Sequence, residues 1–187
     1  TTEIAEGLFA GCTGIEQIRI PDTVTVIESG AFGGCINLKE IVVPDNVTEI
    51  QSSAFEYCSS LKTVKLSENL ERIGVYAFGD CDVLKSIKIP DSVLDIDGAA
   101  FAECKELSDV VLSKNLKTMG WQVFGNDNKL TEIEIPKSLE ECRYYRNNDS
   151  IDGGTFDNCA NLKTVMFEDG TTEIAEGLFA GCTGIEQ

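Results

Sequence analysis

The side chains with the greatest chemical potential in this sequence are its eight cysteines. Cysteine thiols can form disulfides, ligate zinc or serve as nucleophiles. Seven of them recur three residues after a phenylalanine, at Cys12, Cys35, Cys58, Cys81, Cys104, Cys159 and Cys182. This wide spacing differs from the C-x2-C pattern of zinc sites. The sequence also contains no histidine, which removes Ser–His and Cys–His catalysis. We therefore predict no enzyme, no metal site and no cofactor.

The regular position of these cysteines favours a structural role. Free cysteine is among the most buried residue types and packs as a small hydrophobe. The pattern favours reduced, buried thiols. Disulfides between adjacent units are the alternative, although side chains in register would point in the same direction rather than at each other. Cys142 stands apart, eighteen residues after Phe124, in a position otherwise held by isoleucine. It is either a buried member of that position or a semi-exposed thiol.

The charge balance narrows the classes of partner. The chain carries 15 Lys and Arg against 32 Asp and Glu, a formal net charge of −17. Such a field repels phosphate backbones and anionic lipid surfaces, so we expect no nucleic-acid partner. No apolar run approaches the roughly 20 residues that a membrane span needs, so we expect no membrane insertion in this segment. The simplest role of the acidity is solubility.

A repeated unit of 23 residues positions the cysteines. Phenylalanine marks the unit, with one longer interval of 32 residues, at Phe9, Phe32, Phe55, Phe78, Phe101, Phe124, Phe156 and Phe179. Five residues before each phenylalanine stand Ile4, Ile27, Ile50, Ile73, Ile96, Met119, Ile151 and Ile174. Asp127 is the one break in the cysteine column. Such periodicity indicates a repeat architecture.

Each unit is predicted to contain a strand, a turn and a second stretch that crosses back over the unit. The alternation in Ile87-Lys88-Ile89 predicts a strand with one buried face, and Pro90 ends it. The stretch 93–96 returns across the unit, and AAFAEC at 99–104 suits a short 3₁₀-like turn. A unit this short cannot bury its apolar side chains alone, so neighbouring units must stack. The sequence predicts a β-rich repeat solenoid, a single domain over residues 1–187 of about seven to eight units.

The consensus L-x-x-I-x-I-P-x-x-V-x-x-I-x-x-x-A-F-x-x-C is clearest from Leu84 to Cys104. It resembles the BspA-like class of leucine-rich repeat. This resemblance implies a right-handed coil with a parallel sheet on its concave side. It also implies a surface protein of a host-associated microbe, extracellular or attached to the cell surface, and an adhesin for host proteins. The class has no shared catalytic residue to carry over.

The repeat is irregular in one region, between residues 119 and 150. Nine extra residues fall within 140–150, in the sequence EECRYYRNNDS. Aromatic residues and arginine are enriched at interface hot spots, and insertions in repeat proteins often form binding faces. The candidate protein-binding residues are therefore Trp121, Arg143, Tyr144, Tyr145 and Arg146. The alternative is a tolerated insertion that only covers Met119 and Trp121.

A second candidate surface is the outward side of the Ile-x-Ile strands. It changes from lysine-containing units to an acidic unit with Glu132 and Glu134, and it carries no aromatic residue. A solvated sheet face accounts for it most simply.

Two functional hypotheses follow. The first is a non-enzymatic protein-binding module of a microbial surface protein, with a host extracellular-matrix or surface protein as its partner. The second is a structural spacer or an intracellular scaffold that has no ligand of its own.

The two ends of the chain have the same sequence. TTEIAEGLFAGCTGIEQ occupies both 1–17 and 171–187, an offset that equals six units of 23 residues and one of 32. Packing would make the anchors recur, but it does not require Glu6 and Thr13 to return as Glu176 and Thr183. We infer a recent tandem duplication in a longer array, or a chain cut on that period. Uncapped ends of this kind predict end-to-end stacking.

Overall fold

The computed structural model describes residues 2–147 and 150–185, with the side chains of 145–147 and 150–152 outside that description. Fifteen short strands follow one another along these residues, and no helix occurs among them. The strands are β1 (Glu3–Ile4), β2 (Val26–Ile27), β3 (Glu40–Val42), β4 (Glu49–Ile50), β5 (Thr63–Lys65), β6 (Arg72–Ile73), β7 (Ser86–Lys88), β8 (Asp95–Ile96), β9 (Asp109–Val111), β10 (Thr118–Met119), β11 (Glu132–Ile135), β12 (Glu141–Cys142), β13 (Tyr145–Asn147), β14 (Ser150–Asp152) and β15 (Thr164–Phe167). The predicted β-solenoid is confirmed.

The longest sheet is built from two-residue strands. Its order is β1-β2-β4-β6-β8-β10-β12, and neighbouring strands are parallel. Ile50 pairs with Ile73, and Ile73 pairs with Ile96, so one buried residue of each unit forms a continuous column. The stretch that the sequence predicts to return across the unit therefore makes the most continuous ladder of the fold.

The Ile-x-Ile strands pair two at a time. β3 pairs with β5, β7 with β9, and β11 with β15, all in parallel. In β7 the buried Ile87 lies between the exposed Ser86 and Lys88, which confirms the predicted alternation. Pro90 follows this strand and its carbonyl accepts a hydrogen bond from Val93 at 3.0 Å, so the chain turns there.

Eight of the nine phenylalanines form one column of stacked rings. Consecutive ring centroids lie 5.1 to 5.7 Å apart, and the planes differ by no more than 14°. Six of these side chains are completely buried. Burying such a ring contributes about 1.5–3 kcal/mol, and an aromatic pair adds about 0.5–1.5 kcal/mol. The stacked rings therefore hold each unit on its neighbours.

The cysteine column is hydrogen-bonded to the phenylalanine column. Cys58 donates its thiol to the carbonyl oxygen of Phe32 at 3.3 Å, and Cys104 donates to that of Phe78 at 3.3 Å. All eight cysteines are free in the structure. Cys12 and Cys182 are only partly buried, whereas the other six are buried. Buried cysteine thus combines small volume with a weak donor for an otherwise buried carbonyl group.

The turn before each cysteine is not shown to be a 3₁₀ helix. Gly79 N–H donates to the Tyr76 carbonyl at 3.0 Å, an i to i+3 bond, but Phe78 N–H donates to Ala100 in the next unit at 2.8 Å. Tyr76 and Asp80 have φ values of 53° and 56°, in the left-handed region. The segment is a series of turns whose alternate amides bond to the neighbouring unit.

The insertion begins after Cys142. Cys142 pairs with Met119 in the long sheet and is buried, so it holds the isoleucine position of its unit. Ile151 does not hold that position as the spacing predicts. It lies in β14, opposite Arg146 of β13, in an antiparallel hairpin. The spacing was misleading because the extra residues follow the β12 strand and do not precede it.

The identical ends of the chain occupy different surroundings. Ile4 lies in β1 and is 7% exposed, whereas Ile174 is 60% exposed. Leu8 is 55% exposed, whereas Leu178 is 2% exposed. The second copy follows the hairpin, and the Tyr144 ring lies against Gly177. The same sequence packs differently because the two copies contact different units: Ile4 pairs with Ile27 of the following unit, whereas the second copy lies beside the insertion.

Within the part of the chain that is described, no helix is long and apolar enough to cross a membrane.

Candidate functional site

The candidate site lies on the outer face of the long sheet. In each two-residue strand the isoleucine-type side chain points into the core, so its two neighbours point away from it. Four consecutive strands place the residues before the core position in one row: Arg72, Asp95, Thr118 and Glu141. The residues after the core position form the adjacent row: Gly74, Asp97, Gly120 and Arg143.

Two arginines and two aspartates in these rows form one network. Arg72 Nη2 lies 2.6 Å from Asp97 Oδ2, and Arg143 Nη1 lies 3.1 Å from Asp97 Oδ1. Both guanidinium groups also approach Asp95, at 3.6 and 3.5 Å. The hydrogen bond to Asp97 and its negative charge raise the pKa of Arg72. The network joins strands β6 and β8 to Arg143, the first residue of the insertion.

Thr118 completes the network between the two arginines. Its hydroxyl donates to Asp95 Oδ1, and its oxygen lies 3.5 Å from Arg143 Nη2. Asp97 is buried and Asp95 is partly buried, so their charges are partly removed from water. Charge-assisted hydrogen bonds of this kind orient a guanidinium more strictly than an exposed ion pair does. Arg143 is therefore held in place by the fold.

Two aromatic side chains lie beside this network. Trp121 and Tyr76 make an edge-to-face contact, with ring centroids 5.8 Å apart and planes at 77°. Both are partly buried. The indole lies directly on Gly98, where an added Cβ would come within 2.4 Å of Trp121 Nε1. Glycine at this position therefore provides the space that the indole occupies.

Tyr144 extends the aromatic row toward the last unit. The register of Met119 with Cys142 places Tyr144 one unit beyond Trp121. Its ring contacts Gly177, where an added Cβ would lie 2.6 Å from Tyr144 Cδ1. A shallow cleft beside it is lined by Glu140, Glu141, Cys142, Arg143, Tyr144 and Glu176. The cleft combines an aromatic ring, a guanidinium and several carboxylates.

The structure brings three of the five predicted site residues together. Trp121, Arg143 and Tyr144 lie on adjacent units, and Arg143 N–H donates to the Met119 carbonyl at 2.7 Å. The side chains of Tyr145 and Arg146 lie outside the described residues, although their backbones belong to β13. Tyr144 is partly buried, and the Arg143 side chain turns back onto the sheet to bond Asp97.

Sequence reasoning missed the other half of the site. Arg72, Tyr76, Asp95 and Asp97 belong to regular units and therefore did not stand out. Aligning the units would have placed Asp97 and Arg143 in the same column, two units apart. We refer to Tyr76, Trp121, Arg143 and Tyr144, with the carboxylates of Asp95 and Asp97, as the insertion patch.

The patch has no arrangement typical of a catalytic or metal centre. Across the described part of the chain, no group of three or more Cys, Asp or Glu side chains is placed to hold a metal ion. The aspartates of the patch are engaged by arginine. Its chemistry suits recognition of another polypeptide, because aromatic and arginine side chains supply large contact areas and directed hydrogen bonds.

The sequence matches a family described as the BspA type leucine rich repeat region. Six copies match, over residues 2–96, 37–149 and 138–187. No curated protein sequence is similar enough to this chain to count as a relative.

Several solved structures are similar to the chain. A leucine-rich repeat protein from Bacteroides ovatus is 29% identical over 98% of this chain and 57% of its own, with a TM-score of 0.74. A leucine-rich cell surface protein from Faecalibacterium prausnitzii is 28% identical over 99% of this chain and 56% of its own, with a TM-score of 0.58. The pneumococcal vaccine antigen PcpA is 26% identical over 86% of this chain and 41% of its own, with a TM-score of 0.67. The chain thus spans little more than half the length of the first two.

Proposed function

Because the chain belongs to the BspA-type leucine-rich repeat family, we propose that it is a non-enzymatic protein-binding module of a microbial surface protein. Its partner is a host extracellular-matrix or surface protein, and its contact with that partner is centred on the insertion patch. The surface location rests on the names of two similar structures, one called a cell surface protein and the other a pneumococcal vaccine antigen.

The observation that carries the proposal is the preorganised insertion patch. Trp121 is fixed between Gly98 and Tyr76, and Arg143 is fixed by Asp97. Rigid aromatic and arginine side chains lose little conformational entropy when a partner binds. The sequence places its one tryptophan and two of its four tyrosines in or beside this patch, at Tyr76 and Tyr144. A repeat scaffold that only had to stack would not require them.

The proposal is tested by a pull-down against a panel of extracellular-matrix proteins. The wild-type chain is compared with Trp121→Ala and Tyr144→Ala. Tyr57→Ala is the matched control, because Tyr57 is an exposed aromatic residue outside the patch. We expect each patch variant to weaken capture by about tenfold or more, as hot-spot truncations do, and the control to bind as wild type. Capture that is unchanged by both patch variants would contradict a site at the insertion.

A structural spacer is the second candidate, and one observation favours it. Arg143 is hydrogen-bonded to Asp97, and the Tyr144 ring contacts Gly177, so two side chains of the insertion are engaged within the chain itself. A spacer would show no capture by the wild-type chain, and Trp121→Ala would change only its stability. The same pull-down, accompanied by urea unfolding of each variant, separates the two functions.

A further inference from the structure

Four lysines form a positively charged patch on, and directly before, two of the Ile-x-Ile strands. They lie in two adjacent units with the sequences KTVK and KSIK, at Lys62, Lys65, Lys85 and Lys88. All four side chains are exposed. Strands β5 and β7, which carry Lys65 and Lys88, lie side by side. We call these four residues the lysine patch. It stands out because the whole chain carries a net charge of −17.

The repeat places no carboxylate in register with these lysines. In the first column, Lys39 binds Glu16 one unit earlier at 2.6 Å. Lys62 and Lys85 come next in that column. The preceding unit therefore places a lysine beside each of them, Lys39 beside Lys62 and Lys62 beside Lys85, whereas it places Glu16 beside Lys39. Among the described residues, none of the four patch lysines takes part in an ion pair. Their charges are available to a partner.

Exposed valines border the patch on both sides. In the second column Val42 pairs with Lys65, and Lys88 pairs with Val111. Val42 is 57% exposed and Val111 is 50% exposed. The column therefore reads apolar, basic, basic, apolar along the solenoid. On the flanking strands, carboxylates occur at Glu40 on β3 and Asp109 on β9.

We propose that the lysine patch binds a short, extended acidic segment of another protein, with an apolar residue at each end. Val42 and Val111 are three strand spacings apart, or about 14 Å. An extended chain covers that distance in about four residue steps, so five residues match the column. Glu40 and Asp109 repel a longer acidic run, which limits the carboxylates to the centre of the segment.

Screening allows such a contact in spite of the overall charge. At physiological ionic strength the Debye length is about 8 Å, so a short segment responds mainly to the four nearby lysines. A long polyanion would also meet the acidic remainder of the surface, and charge complementarity favours the short peptide over it.

The test uses fluorescein-labelled LDEDL, with glycine at both ends, and the matched neutral peptide LNQNL. Fluorescence anisotropy is measured for the wild-type chain and for Lys65→Glu/Lys88→Glu. The control is Lys129→Glu/Lys163→Glu, which changes the net charge equally at two exposed lysines outside the patch. We expect LDEDL to bind the wild type and the control alike and to lose at least about tenfold in affinity for the patch variant. Raising salt from about 50 mM to about 300 mM should weaken the binding.

Several results would overturn the proposal. These are no binding of LDEDL up to about 1 mM, equal binding of LNQNL, or equal binding by the patch variant. Tighter binding of heparin than of LDEDL at the same lysines would assign the patch to polyanions. Sedimentation that shows a dimer abolished by Lys65→Glu/Lys88→Glu would assign it to a second copy of the chain. Trp121→Ala should leave LDEDL binding unchanged, so failure here and failure of the insertion patch are distinguishable.

Discussion

Arg143 Nη1 lies 3.1 Å from Asp97 Oδ1, although 46 residues separate them in the sequence. Asp97 also accepts Arg72, whose Nη2 is 2.6 Å from Oδ2. One buried carboxylate therefore ties the first residue of the insertion to a strand three units earlier. The insertion patch depends on this contact for its shape, because Arg143 is the residue at which the chain leaves the sheet.

Removing Asp97 should cost more stability than removing an exposed partner. Asp97→Ala removes the nearest carboxylate of two guanidinium groups, which keep only the longer contacts to Asp95. We expect a loss of about 1–3 kcal/mol in the free energy of unfolding. Asp82→Ala breaks the exposed pair with Lys105 and should cost no more than about 1 kcal/mol. Urea unfolding of both variants measures the difference. Equal losses would show that the network contributes no more than a surface ion pair.

Asp127 should make the fold sensitive to pH. It occupies the cysteine column, it is completely buried, and neither carboxylate oxygen has a hydrogen-bond partner among the described residues. Burial raises its pKa well above the usual range. The folded chain therefore holds a proton that the unfolded chain releases above about pH 4, and stability falls as pH rises toward the folded-state pKa.

Replacing Asp127 with cysteine, the usual residue of its column, tests this prediction. Asp127→Cys should gain stability relative to wild type as the pH rises from about 5 to 8, at up to about 1.4 kcal/mol per pH unit. Asp22→Asn, at an exposed position, is the control for the loss of one carboxylate. Urea midpoints across this range give the answer. A constant difference between wild type and Asp127→Cys would show that burial does not raise the pKa of Asp127.

The thiols should differ sharply in reactivity. Burial raises the pKa of Cys58 to about 12 and that of Cys142 to about 11, so little thiolate exists at pH 8. Cys12 and Cys182 are only partly buried. Brief treatment of the native chain with N-ethylmaleimide, followed by peptide mass spectrometry, should label these two first. Labelling of Cys58 as fast as Cys12 would contradict the buried column.

The fluorescence of Trp121, the one tryptophan of the chain, tests its contact with Gly98. Gly98→Ala would place a methyl group 2.4 Å from Trp121 Nε1, so the indole must move away from the sheet. We expect a shifted emission spectrum and weaker partner capture. Gly14→Ala is the matched control, since nothing lies within 4 Å of an added Cβ there. Identical spectra for Gly98→Ala and wild type would show that the indole does not rest on Gly98.

Sequence periodicity predicts the stacked columns because each column is a packing requirement repeated at one spacing. The phenylalanine rings and the free cysteines follow directly from it. Periodicity gives the wrong position for Ile151, because extra residues can lie before or after a strand without changing the number of residues between successive phenylalanines. It also cannot show that Arg143 turns back to Asp97, because that contact joins a regular unit to an irregular one. The different burial of Ile4 and Ile174 shows that identical residues take their environment from their neighbours.

The most direct test of the central proposal is hydrogen exchange of the chain with and without its captured protein partner. A contact centred on the insertion patch predicts slower amide exchange in peptides that contain Trp121 and in those that contain Arg143 and Tyr144, with little change elsewhere. Protection confined to other units, with none at these residues, would contradict binding at the insertion patch.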